Sequence, residues 1–250
     1  KLESMEDPTL FEFVTPRIKP KYNRSKSSPA RAQASTPESQ PKLRFENSYG
    51  GFTEDGREYI IRLQPTANGS LTRPPMPWAN IIANEQAGFL VSEAGAGYMW
   101  AGNSRCNRVT AWHNDPVCDP FAEAFWIRDE DLGAYWSPTP GPAPSGAEYT
   151  TRHGLGHSIF EHTCHELKQQ LTMFMACDAP LKMSLLRLEN TSDRSRRLSL
   201  FSFVHWGLGG LASDTAIDIE TAHDAKLPAI WAKNPHRDLY GDYTAFSAPV

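Results

Sequence analysis

The sequence predicts an all-β protein, a large antiparallel β-sandwich preceded by a disordered linker. Three observations carry that reading. From Phe45 onward, turn signals recur about every 8–12 residues. The runs between them alternate apolar and polar side chains, the two-residue period of a half-buried strand. Before Phe45 the composition changes to one that builds no core.

Residues 1–44 carry 9 Lys/Arg and 5 Asp/Glu, a net +4, whereas residues 45–250 carry 16 and 24, a net −8. All 17 glycines lie after residue 44, and 6 of the 20 prolines lie before it, which puts the domain boundary there. Between Lys21 and Lys42 the only large apolar side chain is Tyr22. Such a stretch buries too little surface to offset its ordering entropy, so about 20–42 reads as a flexible linker. The apolar patch Leu10–Val14 ahead of it is suited to dock on another domain. Two regions result: an N-terminal extension and linker, 1–44, and a folded domain, 45–250.

Within the folded domain, Arg57–Leu63 follows the Asp55-Gly56 turn pair, a hairpin signal. Ala124–Asp129, then Glu130–Gly133, then Ala134–Pro138 reads as strand, turn and strand. His157–Met175 has apolar residues at both helical and strand spacing, and its surroundings favour strands. Leu181–Asn190 alternates, Thr191–Arg196 turns, and Leu198–Trp206 alternates again as one strand. No internal repeat is visible.

At 250 residues, 40% hydrophobic and pI about 6.1, the chain has material for a real core and no basic character to suit nucleic acid. No apolar run approaches the roughly 20 residues that span a bilayer. The longest, Phe201–Ala212, contains His205. No basic-then-apolar signal sequence opens the chain. The four cysteines (Cys106, Cys118, Cys164, Cys177) form no C-x-x-C pair and are expected as free thiols.

Gly95-Ala-Gly97 and Gly207-Leu-Gly209-Gly210 do not continue into phosphate-loop frames, and no nucleophile elbow is present. Asp129–Gly133 is acidic but too short for a calcium loop. His153, His157, Glu161, His162, Cys164 and His165 fall within 13 residues. On a strand, His162 and Cys164 share a face while Glu161 and His165 lie on opposite sides, so the cluster is expected to be structural, with no metal site. Four of the seven tryptophans (Trp100, Trp112, Trp126, Trp136) are interleaved with Asn103, Arg105, Asn107, Arg108, Asn114, Asp115 and Asp119. Indoles cover the C–H faces of sugars, and Asn, Asp and Arg bond adjacent hydroxyls. The same composition also builds an ordinary sandwich core with polar loops, and both readings stand.

A resemblance enters at these residues. Tyr49–Ile61, Pro77–Asn84, Gly88–Trp100 and Trp112–Pro116 resemble co-linear blocks of the β-sandwich of glycoside hydrolase family 94, formerly glycosyltransferase family 36. Phe125–Glu130, Tyr135–Pro138 and Arg152-His-Gly-Leu-Gly156 continue the likeness, which covers about residues 47–245 and is nearest the cyclic glucan-synthase type. The resemblance implies a super-sandwich that, in the family, precedes an (α/α)6 barrel holding the general acid and most of the phosphate site. This chain, with no helical-barrel pattern, is then expected to be the sandwich alone, truncated before the barrel, with no catalytic residue, no cofactor and no activity of its own.

The resemblance further implies partners: a β-linked glucan or oligosaccharide, inorganic phosphate in the full enzyme only, the missing helical barrel, a homodimer mate, and no nucleic acid. A cytoplasmic location is expected, free or as the soluble part of an inner-membrane protein. In the family one sandwich loop reaches the acceptor side of the active site, and Arg152-His-Gly-Leu-Gly156 is the candidate here. The expected substrate-binding residues are Arg152, His153, Trp112, Asn114 and Asp115. A strand-end ion pair for Arg152 and a satisfied histidine at His153 are the structural alternatives. For the whole chain the alternatives are a freestanding carbohydrate-binding module and a dimerisation domain.

Brief trypsin treatment is expected to cut first at Arg24, Lys26, Arg31 or Lys42 and leave a resistant core starting near Phe45. First cuts inside residues 60–200, read by mass spectrometry, refute the boundary.

Overall fold

The computed structural model describes residues 42–250 apart from 225, 227 and 238. The patch Leu10–Val14 and nearly all of the expected linker lie outside the described residues.

Alternating sequence yields strands throughout. Strand β1 (Gly50–Phe52) and β2 (Glu58–Leu63) flank the Asp55-Gly56 turn as expected. A meander follows: β3 (Ala79–Ala83), β4 (Ala87–Ser92), β5 (Gly97–Ala101) and β6 (Arg108–Thr110). The hairpin of β7 (Glu123–Asp129) and β8 (Tyr135–Trp136) turns at Glu130–Gly133. Next come β9 (Tyr149–Gly154), β10 (His157–Cys164), β11 (Leu167–Met175) and β12 (Lys182–Asn190). The two-way segment is therefore two strands. His165 and Glu166 both take positive φ, 49° and 59°, as a tight two-residue hairpin requires.

One expected strand is two. The Leu198–Trp206 run divides into β13 (Leu198–Val204), which pairs with β7, and β14 (Trp206–Gly209), which pairs with β6. His205 is the crossing point, donating its N–H to the Ala122 carbonyl at 2.7 Å and accepting from the Ala111 N–H at 2.8 Å. Alternation continues through the crossing, so the pattern gave no sign of it. The C-terminal part holds a short helix, α1 (Ala212–Thr215), and a small sheet of β15 (Glu220–Asp224), β16 (Ala229–Lys233) and β17 (Ala245–Ser247), none of them anticipated.

The six-stranded antiparallel sheet β1-β2-β9-β10-β11-β12 is the floor of the sandwich. Over its inner face lie the five-stranded sheet β14-β6-β5-β4-β3 and the three-stranded sheet β13-β7-β8. Phe89 and Val91 of β4 pack on Phe160, Leu171 and Met173, while Ile127 and Trp136 pack on Cys164 and Leu167. Among the described residues, the edge strands β12 and β13 expose apolar side chains: Met183, Leu185 and Leu188 on β12, and Leu200, Phe201 and Phe203 on β13.

One buried ion pair joins the β7–β8 and β10–β11 hairpin turns to the connection between β12 and β13. Asp129 Oδ1 accepts the N–H groups of Asp131 and Leu132 at 2.8 and 3.0 Å, shaping the β7–β8 turn. Its Oδ2 accepts from Arg196 Nε at 3.0 Å, and Arg196 also donates to the His165 carbonyl at 2.7 Å. The two side chains are 0% and 2% exposed. Burial pushes the Asp129 carboxyl up, but the Arg196 and turn N–H hydrogen bonds outweigh it and hold the group below the usual range. Arg196→Met, which leaves that carboxylate buried and unpaired, is expected to cost about 3–5 kcal/mol in urea unfolding. Arg197→Met, which breaks an exposed pair with Asp131, should leave the midpoint unmoved. Equal midpoints for the two variants refute the assignment.

Candidate functional site

Strand β9 lies between β2 and β10, with Ile60, Arg152 and Ile159 in register across the sheet. Thr151 faces the interior, so Arg152 points out of the floor's outer face. The expected acceptor loop is thus the end of β9 plus a two-residue tip, in which Leu155 is exposed and Gly156 has φ 83°. Gly154 is required by space: a Cβ there would lie 2.4 Å from the His157 ring.

Arg152 sits in a charged cluster. Its Nε and NH2 donate to Glu58 Oε2 at 3.0 and 2.6 Å, and Glu58 Oε1 meets His157 Nε2 at 2.8 Å. Glu161 Oε2 stands 3.7 Å from Arg152 NH1. Burial raises Glu58, yet hydrogen bonds from His157 and Arg152 outweigh it and leave the carboxyl below its usual range. The ion-pair geometry is therefore present. The Glu58 contacts use two of the five guanidinium N–H groups, NH1 is turned to Glu161, and the side chain stays 32% exposed.

His153 lies beneath, on the inner side. Its Nδ1 is 2.9 Å from Ser158 Oγ and its Nε2 is 3.0 Å from the Trp78 carbonyl. Only a protonated Nε2 serves a carbonyl, so Nδ1 accepts from the serine. Burial drives the ring down to about 4 and keeps it neutral. With both nitrogens engaged in the interior, the structure gives His153 a supporting place and leaves it no donor to offer a sugar. Trp78 continues the network: its N–H donates to Glu93 Oε2 at 2.7 Å. Burial raises the Glu93 carboxyl to about 7, with the Asp119 carboxylate adding to the effect. Asn80 Nδ2 pins the hairpin from β3, donating to the Gly154 and His157 carbonyls at 2.9 and 3.0 Å.

The other expected sugar residues do not join Arg152. Trp112 stacks on Tyr98 at 4.7 Å, and Tyr98 lies on the outer face of the five-stranded sheet, its neighbour Met99 packing into the core. Arg108 covers both rings and donates to the Trp112 and Gly210 carbonyls at 2.8 and 2.7 Å. Asp115 Oδ1 accepts the N–H groups of Val117 and Cys118, which shapes its own turn. Asn114 is exposed nearby. Arg152 and this group occupy opposite outer faces of the sandwich, so the five residues are not one site. Glu58 and Asn80 were missed as site residues, although both stand in the quoted family blocks.

The His/Cys segment divides as strand geometry requires, His162 and Cys164 inward and Glu161 outward. His162 stacks on Tyr149 at 4.0 Å, and Gln169 Nε2 reaches both His162 Nε2 and Cys164 Sγ. Burial drives His162 down to about 3 and Cys164 up to about 11, so this thiol is inert. All four cysteines are free. Among the described residues no group of three or more His, Cys, Asp or Glu is placed to hold a metal ion. Among them, too, no helix is long and apolar enough to cross a membrane.

The family model of the glycosyl hydrolase 94 supersandwich domain matches residues 57–249. The chain is 38% identical over 207 residues to the cyclic β-(1,2)-glucan synthase NdvB of Rhizobium meliloti (strain 1021), covering 82% of this chain and 7% of that protein. It is 32% identical over 171 residues to the N,N'-diacetylchitobiose phosphorylase of Vibrio proteolyticus, covering 66% of this chain and 20% of that protein. A solabiose phosphorylase of Paenibacillus borealis is 26% identical over 172 residues, 66% of this chain and 21% of that protein. The chain spans about a fifth or less of the length of these relatives.

The network beneath Arg152 sets a pH dependence with two opposite signs. Glu93, raised when folded, contributes stability below about pH 4.5 that is lost by about pH 7. His153, lowered when folded, makes the parent lose stability as the pH falls from about 6.5 to 4. Glu93→Gln is therefore expected to gain on the parent as the pH rises through the first window, by on the order of 3 kcal/mol. His153→Gln should gain as the pH falls through the second. Parallel melting profiles for all three proteins refute the burial of these groups.

Proposed function

The chain belongs to the glycosyl hydrolase 94 supersandwich family, and from that premise we propose that it is the non-catalytic sandwich of a glycoside phosphorylase or cyclic glucan synthase. In this reading it scaffolds a helical barrel and lines the acceptor-sugar side of the active site through Arg152. The substrate class is a β-linked glucan or oligosaccharide, with phosphate bound by the barrel. What supports the reading is one observation above the rest: Arg152 stands on the outward face beside an exposed hairpin tip, one edge clamped by Glu58 and NH1 only loosely paired with Glu161 at 3.7 Å, the side chain 32% exposed.

The mechanics follow from that geometry. A guanidinium held along Nε and NH2 loses little further freedom when NH1 bonds a hydroxyl or ring oxygen. Glu58, fixed in turn by His157, keeps the fork from swinging. The tie from Asn80 to the hairpin and the buried contacts of His153 hold the tip in place, so binding does not have to order a loop. Protonation of the leaving oxygen and delivery of the nucleophile belong to the barrel in this scheme.

In a polypeptide that joins this domain to its barrel, Arg152→Ala is expected to lower kcat/KM for the acceptor roughly 10- to 150-fold, the cost of one charge-assisted hydrogen bond. Arg152→Lys should restore only part, since an ammonium lacks the fork. Unchanged acceptor kinetics with a large fall in melting temperature would place Arg152 in a structural ion pair alone.

A further inference from the structure

Of the four clustered tryptophans, three are occupied by the protein itself. Trp136 is fully buried with its Nε1 on Gln169 Oε1 at 2.8 Å, and Trp100 and Trp112 pack around Tyr98 at 5.4 and 4.7 Å. Trp126 differs. It lies on the outer face of the three-stranded sheet, because Ile127 and Asp129 take the inner phase of β7. Phe201 on β13 stands directly opposite it, and Tyr135 on β8 is opposite Arg128, one diagonal step away.

Trp126, Arg128, Gly133, Tyr135 and Phe201 line a depression of about 560 Å³ that is open to solvent. Tyr135 is 67% and Phe201 49% exposed. Gly133 places no side chain over the rim, and Arg128 is steered by Glu130 at 3.6 Å. We propose that this dish is a sugar platform, a second carbohydrate contact that takes one or two pyranose rings of a β-linked glucan.

The occupant follows from the chemistry of the lining. Three aromatic side chains spread over three adjacent strands, a width of two strand spacings or about 10 Å, offer ring faces to C–H faces. The guanidinium beside them offers donors to the hydroxyls at the ring edge. A dish open on one side leaves half of its ligand in water, which suits a polyhydroxylated ring and penalises a wholly apolar one. The dish alone, lined by five residues, is smaller than the roughly 20–30 residues a side of a standard interface between copies. The proposal rests on the carbohydrate reading of the family but not on Arg152, which lies on the other sheet.

Tryptophan fluorescence and ligand-observed NMR titrations of the chain test it, with a linear β-1,2-linked gluco-oligosaccharide and N,N'-diacetylchitobiose as probes. The expected result is saturable millimolar binding of at least one probe, weakened roughly tenfold or more in Trp126→Ala and in Tyr135→Ala and unchanged in Lys168→Ala, at an exposed position of β11. Tyr135→Ala and Arg128→Ala, both at exposed positions, keep the test open if Trp126→Ala fails to fold. Binding lost in Arg152→Ala but kept in the dish variants overturns the platform and leaves the acceptor-wall reading standing. No saturable binding of either probe overturns it. Self-association that Trp126→Ala abolishes, with no response to sugar, overturns it in favour of a second copy.

Discussion

The inner face of the six-stranded sheet is the constraint on which the rest depends. Strand side chains alternate, so burying Tyr149 and Thr151 commits Arg152 to the outside, and burying Ser158, Phe160 and His162 commits His157 and Glu161 likewise. A slip of one residue in β9 would drive a guanidinium into the core and carry Thr151 to the surface. Aliphatic packing alone would resist that slip, and the polar interior adds to it. Thr151 Oγ1 donates to the Glu93 carbonyl, and His153 bridges Ser158 and Trp78, bonds that exist in one register only.

That interior holds several buried polar groups. Gln169, His162, Ser158, Thr151 and Glu93 are all buried, and each has at least one partner. Buried polar groups of this kind cost free energy if misaligned, which gives the floor a single low-energy arrangement. Two described exceptions are His162 Nδ1 and Arg237 NH1, buried with no hydrogen-bond partner. The outward consequence is a stiff platform. Arg152, Glu58 and His157 project from a surface whose underside is locked, so their mutual geometry is set before any ligand arrives.

Strand positions were legible because the two-residue period and the turn residues act locally. Asp55-Gly56, Asp129–Gly133 and Thr191–Arg196 all turn where the side chains say they should. Long-range facts were not legible. Nothing in the alternation of Leu198–Trp206 marks His205 as the point where one ribbon leaves a sheet for another, since hydrogen-bond partners change there while side-chain polarity does not. Glu58 lies 94 residues before Arg152, and only the register of β2 against β9 brings them together. The placement of Trp112, Asn114 and Asp115 on the other side from Arg152 was not legible either: composition does not say which side of a two-layer sandwich a loop ends on. Trp126 and Trp136 carry the same indole ten residues apart, yet one faces water and the other the core, a matter of strand phase and sheet pairing.

Strand β13 carries a consequence of a different kind. Leu-Ser-Leu-Phe-Ser-Phe-Val, Leu198–Val204, is a seven-residue, largely apolar run with no charge and no proline, and among the described residues it forms a sheet edge whose backbone groups on one side have no strand partner. Its counterpart edge β12 is guarded by Lys182, Arg187 and Glu189, so the two edges are not equally protected. For a polypeptide with pI about 6.1, mildly acidic buffer removes the charge repulsion that keeps copies apart. The colloidal behaviour of this domain in isolation is thus governed by a seven-residue ribbon remote from Arg152. A lysine in place of Ser199 or Ser202 acts as a gatekeeper there, giving soluble material without touching the outward face of the floor.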